Sequence, residues 1–312
     1  MTPTERALYL RIQRRAGSMS PEMSAAILKA FQRIRASFTD AQLQRLVASG
    51  GAERLIQQAL GEAMLNRAYA PVRERVRSAV VDNARYFSRD VPKPARIDFV
   101  FNMLNPRVID GITRLETRVM TTLSDAVRET VRAHIENGLR DGVNPREVAR
   151  GIRGIIGLAP NQEEAVRNWR RALEGAEGAR SPFAYKLRDK RFDASVRKGG
   201  LAPAQIEKMV DAYRRKMLAF HAETVSRTAT LDALKLGQRL SWEDAVEQGI
   251  IDRNRLTRTW VGVMDERERD SHVAMEGETV AFDEPYSNGQ IQPGSGEFNC
   301  RCIERFSQRR AA

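Results

Sequence analysis

Apolar residues recur at a helical period along most of the chain. In the clearest example, apolar side chains stand three or four positions apart from Ile206 to Leu234, which is the spacing of one face of an α-helix. Pro203 precedes this run and Gly237 follows it, and these residue types favour the first turn and the end of a helix. We therefore predict a long helix over 203–236, about 50 Å in length at the usual rise per residue.

The same period predicts further helices, and local motifs indicate where several of them begin. Ser20-Pro21 and Asn144-Pro145 each combine a capping residue with a proline at the first helical position. Thr39-x-x-Gln42 and Asn161-x-x-Glu164 have the spacing of a capping box. The predicted helices cover 2–17, 20–37, 40–50, 52–88 (with a kink at Pro71), 107–137, 145–156, 161–173 and 241–248.

After residue 256 the pattern changes to short runs rich in β-branched and aromatic residues. These runs predict strands over 257–263, 279–282 and 300–306, with the first and third as neighbours in one sheet. A short helix over 267–275 is expected between them, capped by Asp265 and ended by Gly277. The fold class is therefore mainly α: an elongated helical region followed by a small C-terminal α+β domain with a short antiparallel sheet.

Proline-rich sequence suggests one linker in the first half of the chain. Arg89–Ala95 holds two prolines around a lysine, a composition that disfavours helix and extends the chain. A chain of 312 residues is also long for a single core. We predict an N-terminal helical region over 1–90, a helical core over 95–240 and a C-terminal domain over 241–312.

Charge is unevenly distributed along the chain. The net charge is +12, and residues 258–312 hold 7 Arg/Lys against 10 Asp/Glu, a net of −3, which leaves +15 for residues 1–257. A basic helical region favours a polyanionic partner such as double-stranded DNA, bound without sequence specificity. The alternative is that these helices simply carry solvated charged faces. Long apolar runs and a signal-peptide pattern are both missing, so we expect no membrane association.

The segment from Trp260 to Cys302 contains most of the side chains that could bind a metal or act in catalysis. Cys300 and Cys302 are the two cysteines, and on a strand they point to the same side. A disulfide between them would close a strained ring, so we expect reduced thiols and a cytosolic assembly environment. With His272 they form a candidate zinc site, with Asp265, Asp270 or water as the fourth ligand.

The alternative is that the same residues form a site without metal, and the sequence favours this interpretation over zinc binding. In that interpretation Asn299 caps a turn, Arg267 or Arg269 pairs with an acidic residue at 283–284, and the cysteines are buried apolar groups. We therefore predict no cofactor, with zinc as the alternative. Cys300, His272 and Asp265 have the residue types of the nucleophile, base and orienting group of a thiol hydrolase, but no catalytic residue is assigned. The glycines at 151, 154 and 157 follow no strand and precede no lysine, so they predict a close helix crossing or helix ends and not a phosphate loop.

The order of these residues resembles a known family. D-x-R-x-R-x-x-H-x-x-x-x-G over 265–277, an acidic-Pro-aromatic step at 284–286, and N-C-R-C over 299–302 are similar to the C-terminal signature of phage minor head proteins of the phage Mu F type, also called the SPP1 gene 7 type. The segments 188–193, 206–213 and 222–238 add to the resemblance, which covers roughly 137–306. The motif residues are Trp260, Asp265, Arg267, Arg269, His272, Gly277, Pro293, Asn299, Cys300, Arg301 and Cys302.

One departure from the family pattern limits what the resemblance implies. Where the family often has Arg-Thr-Glu-Thr, this chain has Arg227-Thr228-Ala229-Thr230, so no role for that glutamate is carried over. The resemblance implies fixed ion pairs for Arg191 and Asp193. It also implies a structural minor head protein of a tailed phage, in the capsid interior near the portal, with portal protein and major capsid or scaffold proteins as partners. The alternative function is a metal- or thiol-dependent hydrolase centred on His272, Cys300 and Cys302.

Overall fold

A computed structural model describes residues 1–92, 99–295 and 297–309. The last residues of the predicted linker, 93–95, lie outside this range. Along the described chain a long run of helices is followed by a small antiparallel sheet, which confirms the predicted fold class. The helices are α1 (Pro3–Ala36), α2 (Asp40–Ala59), α3 (Glu62–Phe87), α4 (Pro106–Arg140), α5 (Pro145–Ile155), α6 (Pro160–Leu173), α7 (Asp193–Lys198), α8 (Pro203–Glu247) and α9 (Asp270–Val273); the strands are β1 (Leu256–Val261), β2 (Thr279–Ala281) and β3 (Ile303–Gln308).

Several predicted helix ends are wrong because the helices continue through residues that usually stop them. The spans 2–17 and 20–37 are a single helix, α1, with Pro21 inside it. The helix α2 does not end at Gly50-Gly51, since the buried face that holds Leu43 and Val47 continues to Leu55. Within the described residues, no helix combines the length and the apolar character needed to cross a membrane.

The long predicted helix is longer than expected and absorbs the next one. The helix α8 spans 45 residues from Pro203 to Glu247 and includes both Gly237 and the segment predicted as a separate helix over 241–248. A Cβ atom at Gly237 would lie 2.6 Å from the carbonyl oxygen of Val80 and 2.8 Å from the backbone nitrogen of Ala84. Gly237 therefore permits close contact with the backbone of α3 and does not end α8.

Two of the capping motifs correctly predicted where a helix begins, and a third was wrong by one residue. At Thr39 the backbone nitrogen donates to Gln42 Oε1 at 2.8 Å and the hydroxyl accepts from the Gln42 nitrogen at 3.2 Å, which confirms the capping box. Asn144 caps α5 as predicted. The helix α6 begins at Pro160 and not at Asn161-x-x-Glu164, because Gln162 already satisfies the backbone nitrogen of Ala159 at 3.0 Å.

Residue proximity divides the described chain into two compact units, each made of separate segments. One, here the sheet unit, contains 1–26, 72–119 and 224–312; the other, the helical unit, contains 27–71 and 120–223. The three consecutive domains predicted from the sequence stay a prediction, and the compact units follow other boundaries.

The helical unit is packed closely at its glycines. A Cβ atom at Gly138 would lie 2.6 Å from Val148, and one at Gly151 would lie 2.6 Å from the ring of His134, which confirms close helix packing for the 151–157 glycines. Buried His221 stacks on Phe31.

The ion pairs expected for Arg191 and Asp193 form in the helical unit. Arg188 contacts both carboxylate oxygens of Asp193 at 2.9 and 3.0 Å, and Arg191 pairs with Asp189 at 2.7 Å.

The sheet unit is built around β1, which lies between β2 and β3 with antiparallel pairing on both sides. The predicted neighbour relation of the first and third strands is confirmed. One apolar cluster joins Ile12 of α1 and Leu234 of α8 to Val261 and Ile303 of the sheet. Glu5 also pairs with Arg305 at 3.0 Å. The beginning and the end of the chain therefore share one core.

Candidate functional site

The two cysteines lie immediately before β3 and not within it. The strand β1 ends at Val261, which pairs with Ile303, and the nitrogen of the following Gly262 donates to the Glu276 carboxylate. The ladder therefore stops before Cys302. Asn299 has a left-handed backbone with φ of 60° and its nitrogen donates to the Thr228 hydroxyl of α8 at 3.1 Å. This turn directs both thiols inward, so the predicted common orientation is retained without the predicted strand.

His272 meets both thiols from the opposite side of the site. Its Nδ1 atom lies 3.7 Å from Cys300 Sγ and 3.5 Å from Cys302 Sγ. His272, Cys300 and Cys302 are 2%, 4% and 1% exposed, and one ligand atom from each lies within 4.8 Å of the others. The predicted helix over 267–275 is only the four-residue α9, because residues 265–268 form a turn in which Asp265 accepts from the nitrogen of Arg267.

The other ring nitrogen of His272 faces a carboxylate. Nε2 lies 3.0 Å from Glu297 Oε2, and the same carboxylate accepts from Gln290 at 2.7 Å and pairs with Arg269 at 3.3 Å. Burial opposes ionisation of Glu297, but the adjacent His272 ring and the hydrogen bond from Gln290 lower its pKa overall. The ionised Glu297 favours a proton on Nε2, which leaves the Nδ1 lone pair directed at the two sulfurs.

Asp265 does not join this cluster. Its carboxylate forms a two-pronged ion pair with Arg301, and these hydrogen bonds hold the pKa of Asp265 well below its usual range. Arg267 lies 3.7 Å from the same carboxylate. The expected pairing of Arg267 or Arg269 with residues 283–284 is wrong, since Asp283 pairs with Arg253. Asp270 is exposed at the start of α9.

The remaining motif residues support the site from its edges. Trp260 is fully buried and its ring meets the His272 ring edge-on at 5.3 Å. Gly277 has φ of 79°, and its nitrogen donates to the Trp260 carbonyl at 3.0 Å. The Pro293 carbonyl accepts from Lys235 at 2.9 Å. The motif thus describes one packed substructure.

Sequence reasoning missed Glu297 and two further charged residues at the site, Glu268 and Lys235. Glu268 Oε1 lies 2.8 Å from Cys302 Sγ, while its other oxygen accepts from the Met264 nitrogen. Lys235 is 2% exposed in α8. Lys235 could have been found from its position four residues after Leu231, because a lysine on the apolar face of the predicted long helix is expected to be buried. Glu268 could not be distinguished from the other charged residues at 265–270.

The two thiols are electrostatically unequal. The adjacent Cys302 thiol, followed by the positive charge of Lys235, lowers the pKa of Cys300, against the opposing effect of burial. The interaction with Cys300, together with burial and the Glu268 carboxylate, raises the pKa of Cys302. Burial, reinforced by Cys300, also raises the pKa of nearby Asp232. The arrangement can hold one thiolate next to an imidazole, or two thiolates if a cation neutralises them.

Comparison with known proteins gives one match. A model of the family described as Phage Mu protein F like protein matches residues 129–304, a range that covers more than half of the chain and includes every residue of the site above. No curated protein and no solved structure matches the chain. The family match begins close to the start of the resemblance identified in the sequence, which covers roughly 137–306. It ends two residues before the end of that resemblance. The chain belongs to the Phage Mu protein F like family, and its Cys/His cluster lies inside the part of the chain that defines this membership.

Proposed function

We propose that this protein is a structural minor component of a tailed-phage head and acts in prohead assembly beside the portal. The observation that carries the proposal is the family match over 129–304. The protein would bind portal protein together with capsid or scaffold subunits, first in the host cytoplasm and then inside the particle.

A non-enzymatic role is supported by the burial of the reactive side chains. A nucleophilic thiol or a metal-bound water has to meet its substrate directly. Cys300, Cys302 and His272 are each 4% exposed or less, and Trp260 and Tyr286 pack against the cysteines. A hydrolase centred on these residues would therefore have to bring its substrate to side chains that are almost fully buried.

Contact with packaged DNA is supported by charge. Residues 1–257 carry a net +15, and in the helical unit a surface cavity of about 520 Å³ is lined by the exposed side chains of Arg171, Arg180 and Lys186. Basic side chains on a concave surface bind phosphates irrespective of sequence. Such contacts suit a protein that meets genomic DNA at arbitrary positions.

Quantitative mass spectrometry of purified particles tests the proposed role. Proheads from a wild-type infection should contain this chain, and proheads made without portal protein should lack it while they retain scaffold and major capsid protein. Equal amounts with and without portal would contradict the portal-proximal position. Absence from every particle that contains portal would overturn the structural role itself.

A further inference from the structure

We propose that Cys300, Cys302 and His272 bind a structural zinc ion, with Glu268 as the fourth ligand. The sequence by itself favours a site without metal, because no fourth ligand is evident and the Cys-x-Cys spacing is uncommon. The three-dimensional arrangement favours zinc instead. Three observations support it: the distances between the ligand atoms, the Glu297 carboxylate beside His272, and the space that two glycines leave around the ligands.

The distances match a tetrahedral ion. Zinc bonded to sulfur at about 2.3 Å and to imidazole nitrogen at about 2.0–2.1 Å holds these two ligand atoms about 3.6 Å apart. The observed separations from His272 Nδ1 are 3.7 Å to Cys300 Sγ and 3.5 Å to Cys302 Sγ. Two sulfurs at nearly the same distance from one nitrogen fit a shared ion, whereas the single lone pair on Nδ1 can accept only one thiol proton.

The histidine is oriented as a zinc ligand. A histidine that binds metal through one ring nitrogen commonly donates the proton on the other to a carboxylate, which sets the tautomer and the ring orientation. The Glu297 carboxylate lies 3.0 Å from Nε2, an ion-pair contact in which the ring N–H is not aligned for a hydrogen bond, and it is itself held by Gln290 and Arg269. A carboxylate at this place favours the proton on Nε2 electrostatically, which leaves Nδ1 to face the sulfurs as a metal ligand.

Glu268 supplies the fourth ligand from the turn before α9. Its Oε1 contacts Cys302 Sγ at 2.8 Å, which is a hydrogen-bond distance. In a tetrahedral zinc site oxygen and sulfur lie about 3.5 Å apart, so a bound ion would replace the thiol proton and the carboxylate would move back slightly. The side chain has that freedom, because Glu268 is only partly buried.

Two glycines leave room around these ligands. A Cβ atom at Gly294 would lie 2.2 Å from Cys300 Sγ, and one at Gly262 would lie 3.1 Å from Glu268 Oε1. Trp260, Met275 and Tyr286 form the apolar side of the cluster. The buried ammonium group of Lys235, held at the Pro293 carbonyl, offsets the net negative charge that two thiolates and one carboxylate leave on a divalent ion.

Metal content of the full-length protein is the first test. Protein incubated with zinc and then desalted should retain about one zinc ion per chain. Cys300→Ser, Cys302→Ser and His272→Asn should each lose it. His221→Asn removes another buried histidine, whose Nδ1 lies 2.7 Å from the Gly157 carbonyl, and should retain the zinc. Wild-type protein that retains no zinc would overturn the proposal.

Cobalt substitution covers the case in which the cysteine variants do not fold. Wild-type protein loaded with Co²⁺ should show sulfur-to-cobalt charge-transfer absorption together with the intense ligand-field bands of a tetrahedral site, and bound zinc should protect both thiols from alkylation. A cobalt spectrum without thiolate absorption, or thiols equally reactive with and without zinc, would show that the cluster is held by hydrogen bonds alone.

Glu297 and Glu268 separate orientation from ligation. Glu297→Gln should weaken zinc about 10–100-fold in a chelator competition, as is usual for loss of a carboxylate behind a ligating histidine, with the cobalt spectrum unchanged. Glu268→Gln should weaken zinc and also change the ligand-field bands, because it alters a ligand of the ion. An unchanged affinity in Glu268→Gln would remove Glu268 from the ligand set.

Discussion

Arg258 and Glu304 form an ion pair enclosed within the sheet unit, with side-chain exposures of 0% and 1% and a contact distance of 2.5 Å. The pair runs diagonally from β1 to β3, since Arg258 is opposite Phe306 and Trp260 is opposite Glu304. Arg258 also donates to the carbonyls of Ile291 and Glu284. The sheet is thus tied to the loop over 284–291 that passes beside the cysteines.

Removing one member of this pair should strongly destabilise the protein. Glu304→Gln leaves the Arg258 charge buried without its counter-ion, which costs about 3–5 kcal/mol of unfolding free energy. The phenol of Tyr286, which donates to Glu304 at 3.2 Å, loses a charged acceptor as well. Urea denaturation of the full-length protein measures the change.

The control for this prediction is an ion pair in the same unit that faces water. Glu22 pairs with Arg75 at 2.7 Å, and both side chains are more than half exposed. Glu22→Gln should change stability by about 1 kcal/mol or less. Equal effects of the two substitutions would contradict the special importance of the enclosed pair.

Gly237→Ala should destabilise the protein although alanine favours helix. The added methyl group would lie within 3 Å of backbone atoms of α3, and forcing extra volume into a packed interface costs about 1–3 kcal/mol. Gly17→Ala in α1 is the matched control, because a Cβ atom there meets nothing within 4 Å, and it should stabilise by about 0.4–1 kcal/mol. Thermal unfolding of both variants measures the difference, and a stabilising Gly237→Ala would contradict the close helix contact.

The first turns of α1 should contribute to the stability of the C-terminal sheet. Ile12 is fully buried in the cluster that contains Val261 and Ile303, so Ile12→Ala should cost about 2–5 kcal/mol. Leu10 lies on the same helix with 46% of its surface exposed, and Leu10→Ala should be nearly neutral. Hydrogen exchange of β1 and β3 amides should rise only in Ile12→Ala, and unchanged protection there would separate α1 from the sheet.

DNA binding should depend on the basic cavity of the helical unit. Arg171→Gln, Arg180→Gln and Lys186→Gln combined should weaken binding to random-sequence duplex and reduce the salt dependence by about one unit of log–log slope for each lost phosphate contact. Arg33→Gln, Arg45→Gln and Arg54→Gln remove the same charge from exposed positions of the same unit and should have the smaller effect. Equal losses in the two triple variants would indicate a diffuse charge effect and contradict a localised site.

The full chain is the proper material for that experiment. The charge difference between residues 1–257 and 258–312 suggests comparing fragments 1–240 and 241–312, but a cut after residue 240 falls inside α8. It would also separate Ile12 from Val261, which share one core. Substitutions in the intact protein avoid both effects.

Sequence by itself determined the features that depend on neighbours along the chain. The apolar period predicted the helices, because a helix repeats every 3.6 residues whatever it packs against. The Thr39–Gln42 capping box and the Asn144 cap could be read because their hydrogen bonds close within three residues. Motif order placed His272 with Cys300 and Cys302, and the family match includes all three.

Tertiary structure alone decided the features that depend on residues distant in sequence. Gly237 reads locally as a helix stop, yet α8 continues through it because the α3 backbone lies against it. The sheet unit joins residues near both ends of the chain, because apolar side chains far apart in the sequence are buried against each other. The motif predicted Asp265, and not Glu268 or Glu297, as the carboxylate beside the cluster. The pairing of Asp265 with Arg301 and of Glu297 with His272 depends on side chains that come together only when the loops fold.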